Sequence, residues 1–218
     1  MNIVIIGASG FVGSELLKEA VRREHMVTAL SRHPEKINTN DDHHITAVGC
    51  DIFEEGKLVG VLADHDAVLS AYNPGWDDPN IYDDYLEGSK AIQRAVKKAD
   101  VQRYLVIGGA GSLEIEPGKQ LVDTPDFPKE YKEGAKAARD YLDVLRKEED
   151  LEWTFLSPAI LMHPGIDTGR TGQYRIGTEQ PVFDENGESK ISAEDLAVAL
   201  LDELENRNFV RKRFTVAY

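Results

Sequence analysis

The stretch NIVIIGASGFVGSELLKEA, residues 2–20, constrains the fold more than any other part of the chain. Its four consecutive apolar residues at 3–6 predict a buried strand. Three glycines in the spacing G-x-x-G-x-x-G follow, and apolar residues then recur at helical spacing, at Val12, Leu16, Leu17, Ala20 and Val21. A strand, a glycine turn and an amphipathic helix in this order begin a βαβ unit, which is built around a parallel sheet.

The same alternation continues along all 218 residues. β-rich runs predict further strands at 26–31, 45–51, 67–72, 104–108, 153–157 and 214–218, and apolar stripes predict helices at 81–99, 135–145 and 193–204. Ser192 is expected to cap the last helix. We therefore predict one α/β domain over residues 1–218: a Rossmann-type, doubly wound, mainly parallel sheet flanked by helices, in three layers.

The glycine triplet predicts what the junction between the first strand and the first helix binds. Gly7 permits a tight turn, Gly10 lets backbone approach a pyrophosphate, and Gly13 allows helix and strand to pack closely. The backbone N–H groups and the positive end of the helix dipole favour a phosphate anion at this point. The sequence therefore predicts a dinucleotide site.

The end of the second predicted strand indicates which dinucleotide. An NAD-selective site commonly has an acidic residue there, whereas this chain has Ser31 and Arg32. A guanidinium engages a 2′-phosphate bidentately and a hydroxyl donates to it, so NADP(H) is favoured over NAD(H); an arginine that points into solvent is the alternative. After the third strand, Asp51 would accept from the adenine amino group with Ile52 covering the ring, although a loop-capping aspartate explains Asp51 equally well.

Composition and charge argue against several other functions. The net charge of -14 and the isoelectric point near 4.8 would repel a nucleic-acid backbone, and the basic tripeptide at 211–213 is interpreted as the solvated start of the last strand. No apolar run approaches the ~20 residues of a membrane span, and a single cysteine fits a reducing compartment. We therefore expect a cytoplasmic protein whose partners include neither nucleic acid nor a membrane.

Two further chemistries are not supported by the sequence. The adjacent His43 and His44 are expected to be unable to present their side chains to one metal ion, and Cys50 adds no second thiolate. Ser9 and Ser112 lack the G-x-S-x-G setting of a hydrolase nucleophile. We therefore predict neither a metal centre nor nucleophilic catalysis.

Long irregular segments indicate where a substrate would bind. Residues 111–128 and 162–187 are rich in glycine, proline and acidic side chains and have little periodicity, and a shorter loop spans 73–80. Loops of this length in a compact domain are usually lids or binding loops; surface excursions without a role are the alternative.

Five segments carry a resemblance to a known family: GASGFVG, GCDIF, LVIGGAGSL, EWTFLSPA and DENGESKISAEDLAVALLDELEN. Together they resemble the atypical short-chain dehydrogenase/reductase superfamily, and within it the NADH-flavin reductase group, which is similar to biliverdin reductase B and the NmrA-like proteins. The resemblance spans nearly the whole chain. It implies an NAD(P)-binding Rossmann fold and a cofactor that lies against Gly7, Ser9, Gly10, Phe11, Val12, Arg32, Asp51, Ile52, Ser70, Ala71, Tyr72, Gly108, Gly109, Ala110, Lys136, Pro158 and Ala159.

One motif of that superfamily is altered in this chain. Members that reduce carbonyls use Y-x-x-x-K, in which the lysine lowers the pKa of the tyrosine and holds the ribose while the phenol transfers the proton. Here Tyr131 and Lys136 are five residues apart, which turns them about 140° from each other on a regular helix. Lys136 can still hold the ribose, but Tyr131 would reach the site only if it preceded the helix; a half-buried packing tyrosine is the alternative.

The altered motif favours an acceptor that needs no protein acid. A flavin takes a hydride on its ring and the remaining proton from water, so the protein needs chiefly to stack the two rings. The candidate walls of this acceptor pocket follow the predicted strands and are Tyr72, Asn73, Trp76, Ser112, Met162 and His163. His163 is a candidate proton donor, and a loop histidine without a chemical role is the alternative.

The leading hypothesis is an NAD(P)H-dependent reductase whose acceptor is a flavin or a similar conjugated small molecule, the flavin being a substrate rather than a prosthetic group. Its candidate catalytic residues are Lys136, Tyr131, Ser112 and His163. An NmrA-like NADP(H) sensor without turnover and an NAD-dependent epimerase or dehydratase are the alternatives. The sequence predicts no oligomeric state.

Overall fold

The computed structural model describes residues 1–218. In chain order its elements are β1 (Asn2–Ile6), α1 (Phe11–Arg22), β2 (Met26–Ser31), β3 (Ile45–Gly49), α2 (Glu55–Leu62), β4 (Ala67–Ser70), α3 (Ile81–Lys98), β5 (Arg103–Ile107), β6 (Glu114–Glu116), β7 (Lys119–Gln120), α4 (Lys129–Leu145), β8 (Glu152–Ser157), β9 (Arg175–Gly177), α5 (Ala193–Asn206) and β10 (Lys212–Ala217). No helix combines the length and the apolar composition needed to cross a membrane.

The main sheet has eight strands in the order β3-β2-β1-β4-β5-β8-β10-β9. All neighbouring strands are parallel except the last pair, in which β9 runs antiparallel to β10. The order reverses between β1 and β4, and doubly wound sheets open a crevice outside the carboxyl ends of their strands at this point. The crevice is bordered by the loops that follow β1 and β4.

Helices cover both faces of the sheet, and alternate strand residues serve the two faces. Ile3 and Ile5 of β1 belong to a cluster of 25 buried residues that includes the apolar stripes of α1 and α5. Val4 and Ile6 belong to a second cluster of 23, which includes residues of α2, α3 and α4. A strand buried on both faces carries a continuous apolar run, which explains residues 3–6. The predicted three-layer, doubly wound α/β fold is confirmed.

The long elements agree with the prediction to within a few residues. Ser192 caps α5 as expected, because its Oγ accepts from the N–H of Asp195 at 3.1 Å. The helix α4 begins at Lys129 rather than at residue 135, since its first turns are polar and largely exposed and so show no apolar stripe. Tyr131 is therefore inside this helix.

The sequence does not predict four short elements. Gly56 and Gly60 lower the helix propensity of α2, and β6, β7 and β9 have only two or three residues, too few for a periodic pattern. The β6–β7 hairpin lies within 111–128 and β9 within 162–187. Both segments predicted to be irregular therefore contain paired backbone.

The basic tripeptide at 211–213 is not simply the solvated start of a strand, as the sequence had suggested. The Arg213 side chain is 1% exposed, and it donates to the carbonyl and the Oγ of Ser112, both at 3.2 Å, and to the Glu179 carboxylate. Burial removes a guanidinium from water, so acceptors must replace its hydration. Arg213 thereby joins β10 to the two long loops.

Candidate functional site

The glycine loop is shaped by close backbone contacts. Gly7 has φ of 80°, in the left-handed region, and a Cβ there would lie 2.7 Å from the carbonyl oxygen of Ala71. A Cβ on Gly13 would lie 2.0 Å from the Gly7 carbonyl oxygen. Only glycine fits at these two positions, because the contacted atoms are backbone and cannot rotate away. The turn and the close packing predicted for Gly7 and Gly13 are present.

The N-terminus of α1 offers unsatisfied backbone donors to the crevice. Gly10 is the N-cap residue and has no side chain to accept from the first turn, which also contains no acidic residue. A Cβ on Gly10 would meet only the Gly7 carbonyl oxygen, at 3.2 Å, so the outer side of this residue is open. The uncapped N–H groups and the helix dipole fit a phosphate anion. Phe11, in the first turn, is exposed beside them.

Ser31 and Arg32 have different surroundings at the end of β2. The Ser31 hydroxyl is buried, lies 2.6 Å from the Ser9 hydroxyl and accepts from the N–H of His33 at 3.1 Å. Ser31 thus ties the glycine loop to the end of β2. Ser9 and Arg32 are both exposed, so they are the polar side chains that this corner presents to the crevice.

The loop after β3 places its residues differently from the prediction. The Asp51 carboxylate accepts from the N–H of Phe53 at 2.9 Å, which is the loop-capping arrangement given above as the alternative. Ile52 is 6% exposed and packs in the core, so it offers a ligand ring little side-chain surface. Phe53, which the sequence reasoning missed, is 57% exposed at this place. The signal for it was an aromatic residue two positions after the aspartate.

Tyr72, after β4, is turned toward α3. Its hydroxyl donates to the carbonyl of Asp84 at 3.0 Å, and its ring covers Gly88, where a Cβ would approach within 2.5 Å. Burial raises the pKa of Tyr72 to about 12. Ser70 is buried beneath it. The crevice is therefore bordered here by the backbone of Ala71 more than by the tyrosine ring.

The ends of β5 and β8 form the floor beside this point. Close packing requires glycine at position 108, because a Cβ on Gly108 would lie 1.8 Å from Cζ of Phe155. Gly109 and Ala110 are partly exposed. Pro158 and Ala159 are buried, so they offer a ligand little side-chain surface.

The four candidate catalytic residues do not form hydrogen bonds with one another. Lys136 Nζ contacts the Glu133 carboxylate at 2.8 Å, and the His163 Nδ1 accepts from the N–H of Gly165 at 3.1 Å in an exposed turn. Ser112 is buried against Arg213, as described above. Tyr131 is the third residue of α4 and does not precede it. The condition under which Tyr131 would reach the site as a proton donor is not met.

Tyr131 instead packs against Trp76, which follows β4. The two rings meet edge to face with centroids 5.2 Å apart, and both are about half exposed, at 54% for Trp76 and 46% for Tyr131. Gly134, one turn along α4, leaves room for the indole: a Cβ there would lie 2.8 Å from Cζ3 of Trp76 and 2.9 Å from Cδ1 of Ile81. The indole is thus held on the surface of α4 with much of its area open to solvent.

Buried carboxylates fasten part of the segment 162–187 to the helices. Glu19 of α1 accepts from Arg170 Nε at 2.7 Å, and it also pairs with Arg22 and Arg23. Desolvation would raise the pKa of Glu19, but hydrogen bonds from these arginines outweigh it and lower the pKa to about 2. Asp195 of α5 accepts from the backbone of Thr171 and Gly172. Residues 170–172 are therefore held in place and do not form a free lid.

The structure corrects the geometric argument about the adjacent histidines. His43 and His44 have ring centroids 4.0 Å apart, and their ring nitrogens and an Asp42 carboxylate oxygen all lie within 4.8 Å of one another. Adjacent histidines therefore do bring their ligand atoms together here, because the backbone turns before β3. This cluster lies at the amino end of β3, on the edge of the sheet opposite the glycine loop, and so outside the crevice.

A comparison with models of protein families shows which family the chain belongs to. The family model described as NAD(P)H-binding matches residues 7–207, from the glycine turn to the end of α5. This chain belongs to the NAD(P)H-binding family. The resemblance predicted from the sequence is confirmed at this level, and the uncapped α1 N-terminus is where a member of the NAD(P)H-binding family would hold the cofactor pyrophosphate.

Similar proteins match this chain over nearly its full length. The Bacillus subtilis (strain 168) protein YwnB is 38% identical over 218 residues, which are 99% of this chain and 98% of that protein. A structure from Bacteroides thetaiotaomicron, described as a proposed epimerase, is 44% identical with a TM-score of 0.91 and covers 100% of this chain and 96% of its own. A proposed NADH-flavin reductase from Streptococcus pneumoniae TIGR4 is 37% identical with a TM-score of 0.85, covering 100% and 99%.

Proposed function

We propose that the protein is an NADPH-dependent reductase whose acceptor is a flavin or a similar conjugated ring, bound as a dissociable substrate. The observation that carries the proposal is the uncapped N-terminus of α1 at the switch point of the sheet. The exposed Arg32 follows β2 on one side of it, and the exposed Trp76 follows β4 on the other. One cleft thus has an anion-binding centre, a cationic side chain at one end and an aromatic surface at the other.

Each of these groups has a role in the proposal. The first-turn N–H groups of α1 and the Ser9 hydroxyl bind the pyrophosphate, Arg32 binds the 2′-phosphate, and Lys136 positions the nicotinamide ribose. The bound cofactor supplies a hydride, which an oxidised flavin takes up together with a proton from water. Trp76 and Tyr131 hold the acceptor ring flat, which favours hydride transfer by fixing the distance between the reacting atoms.

The similar proteins support the coarser part of this proposal, an NAD(P)H-binding oxidoreductase. The described function of the Streptococcus pneumoniae structure favours a flavin acceptor. The described function of the Bacteroides thetaiotaomicron structure favours an epimerase. The placement of Tyr131 and Lys136 within one continuous helix argues against the epimerase, because their five-residue separation puts the phenol and the amine on different faces.

Anaerobic oxidation of NADPH by the purified protein tests the proposal. With riboflavin, FMN or FAD present, we expect the near-ultraviolet absorbance of the reduced cofactor to fall at least about tenfold faster than in a blank without protein, because the protein aligns the two rings. Identical rates with and without protein, for every flavin, would contradict the assignment of the acceptor.

A cofactor sensor without turnover is the second candidate, and one observation favours it. Tyr131, Lys136, Ser112 and His163 form no hydrogen-bonded acid–base unit, so no group of the cleft is prepared to move a proton. Tight NADPH binding, together with negligible oxidation that no flavin accelerates, would support the sensor and exclude a flavin reductase.

Replacing Arg32 tests the preference between the two cofactors. In Arg32→Ala we expect the Kd for NADPH to rise about 10-fold to 100-fold, because charge-assisted hydrogen bonds contribute roughly 1.5–3 kcal/mol. The Kd for NADH is expected to change by less than about twofold, because NADH has no 2′-phosphate. Calorimetric titration with both cofactors measures this. Arg94→Ala removes an exposed arginine of α3 whose nearest carboxylate is 4.0 Å away, and it serves as the matched control. An unchanged preference in Arg32→Ala would remove Arg32 from the site.

A further inference from the structure

The aromatic end of the cleft has an unusual charge. From residue 73 to residue 89 the chain has five acidic side chains, Asp77, Asp78, Asp83, Asp84 and Glu87, and no lysine or arginine. Asp77 and Asp78 are the two residues that follow Trp76, and Asp83 and Asp84 lie in the first turn of α3. Because Trp76 and Ile81 both meet α4 at Gly134, the indole and the acidic helix start lie side by side.

Only one of the five carboxylates has an ion-pair partner: Glu87 contacts Lys90, just beyond this segment, at 3.2 Å. The pKa of Asp84 is raised by desolvation, by a hydrogen bond with Asp78 and by the charges of Asp78 and Asp83. Asp77 and Asp83 are exposed and have no hydrogen-bond or ion-pair partner in the structure. On the facing helix, residues 129–136 contain three lysines and two glutamates, and Lys136 and Glu133 pair with each other at 2.8 Å, so this stretch adds a net charge of only about +1. The acceptor end therefore stays negative.

We propose that this end of the cleft selects an uncharged planar ring and discriminates against acceptors that carry a phosphate. The inference rests on the proposed function and specifies its substrate class: riboflavin or an uncharged quinone rather than FMN or FAD. The open indole face of Trp76 stacks on any flat ring, so the aromatic contact does not distinguish these acceptors. The acidic residues beside it do, since they repel a phosphate and leave a neutral ring unaffected.

Binding of flavin to the protein saturated with NADP⁺ tests the selection without any turnover. Quenching of flavin fluorescence gives the Kd, and at about 10 mM salt we expect riboflavin to bind about tenfold more tightly than FMN. At about 0.5 M salt the difference is expected to shrink to about twofold, because the screening length falls below the distances between the charges. Trp76→Ala is expected to weaken both flavins by a similar factor, about tenfold, because it removes stacking common to both.

Two double variants separate local charge from total charge. Asp77→Asn/Asp83→Asn is expected to reduce the low-salt preference for riboflavin to within about threefold, since it removes two unpaired charges beside the indole. Asp64→Asn/Asp100→Asn removes the same net charge at the opposite edge of the sheet. Both of these control residues are exposed and have positive φ, 63° and 57°, a backbone conformation that asparagine tolerates. This control is expected to keep the tenfold preference.

The outcomes distinguish the selection from the function on which it rests. If FMN binds as tightly as riboflavin at low salt and both are reduced, the selection is overturned and the flavin reductase stands. The same holds if the preference survives in Asp77→Asn/Asp83→Asn. If neither flavin binds and neither accelerates NADPH oxidation, the selection and the flavin assignment are overturned together.

Discussion

Gly13→Ala is expected to weaken NADPH binding by at least about 100-fold. The added methyl group would lie 2.0 Å from the Gly7 carbonyl oxygen, 2.7 Å from the Gly7 carbonyl carbon and 3.0 Å from Cα of Ala8. None of these atoms can rotate away, so the start of α1 must separate from the loop. The N–H groups that we propose bind the pyrophosphate then lose their common orientation, and the overpacking lowers the stability by roughly 1–3 kcal/mol. Calorimetric titration and urea unfolding measure the two effects.

Two further glycine variants make this result interpretable. Gly10→Ala brings its methyl group no closer than 3.2 Å to the Gly7 carbonyl oxygen, so the fold is expected to persist while NADPH binding falls about tenfold, because the methyl group stands where the phosphate approaches. Gly56→Ala, in α2, meets nothing within 4 Å and is expected to bind normally and gain up to about 1 kcal/mol. Wild-type affinity in a folded Gly13→Ala protein would show that the loop does not hold the cofactor.

Glu19→Gln is expected to lower the free energy of unfolding at neutral pH by about 3 kcal/mol. The Glu19 side chain is 3% exposed and accepts from three arginines, and its pKa is lowered from 4.5 to about 2. Each unit of pKa shift corresponds to about 1.4 kcal/mol, and removing one partner of a buried ion pair leaves the others uncompensated. Urea unfolding of both proteins measures the difference. Glu15→Gln, which breaks only an exposed pair with Lys18, is the control and is expected to cost under about 1 kcal/mol.

The pH dependence of this difference has a definite sign. A carboxyl group whose folded pKa is depressed stabilises the fold at pH values above its unfolded pKa, and the stabilisation is lost as the pH falls toward the folded pKa. For Glu19 the contribution is therefore complete above about pH 4.5 and lost by about pH 2. We expect the wild-type protein and Glu19→Gln to converge in stability across this window. A difference that persists undiminished at pH 2 would contradict the ion-pair explanation.

Most of the fold could be predicted from local sequence patterns. The continuous apolar run of β1 and the helical stripe of α1 each depend on residues only a few positions apart, so they are visible without tertiary structure. The cap at Ser192 is equally local. Elements without such a pattern were missed: α2 contains two glycines, and β9 is a three-residue edge strand whose pairing depends on β10.

The candidate site could be predicted only in part for a related reason. The glycine loop was predictable because its requirements are local. Gly7 is needed for a turn with positive φ, and Gly13 is needed because it contacts the backbone of Gly7, six residues earlier. The side chains around it were less predictable. Ser112 and Ser31 follow strands as candidate site residues should, yet both are buried by partners, Arg213 and Ser9, that lie far away in the sequence.

The sequence by itself therefore determined the order of the long strands and helices, the glycine turn at the crevice and the family, because periodicity and backbone conformation are local properties. The tertiary structure alone decided which polar groups are buried and which aromatic groups are open. Glu19 meets Arg170, and Trp76 meets Tyr131, only because the sheet order and the loop paths bring distant segments together. Burial and charge pairing depend on those meetings, so patterns within short stretches of sequence could not predict them.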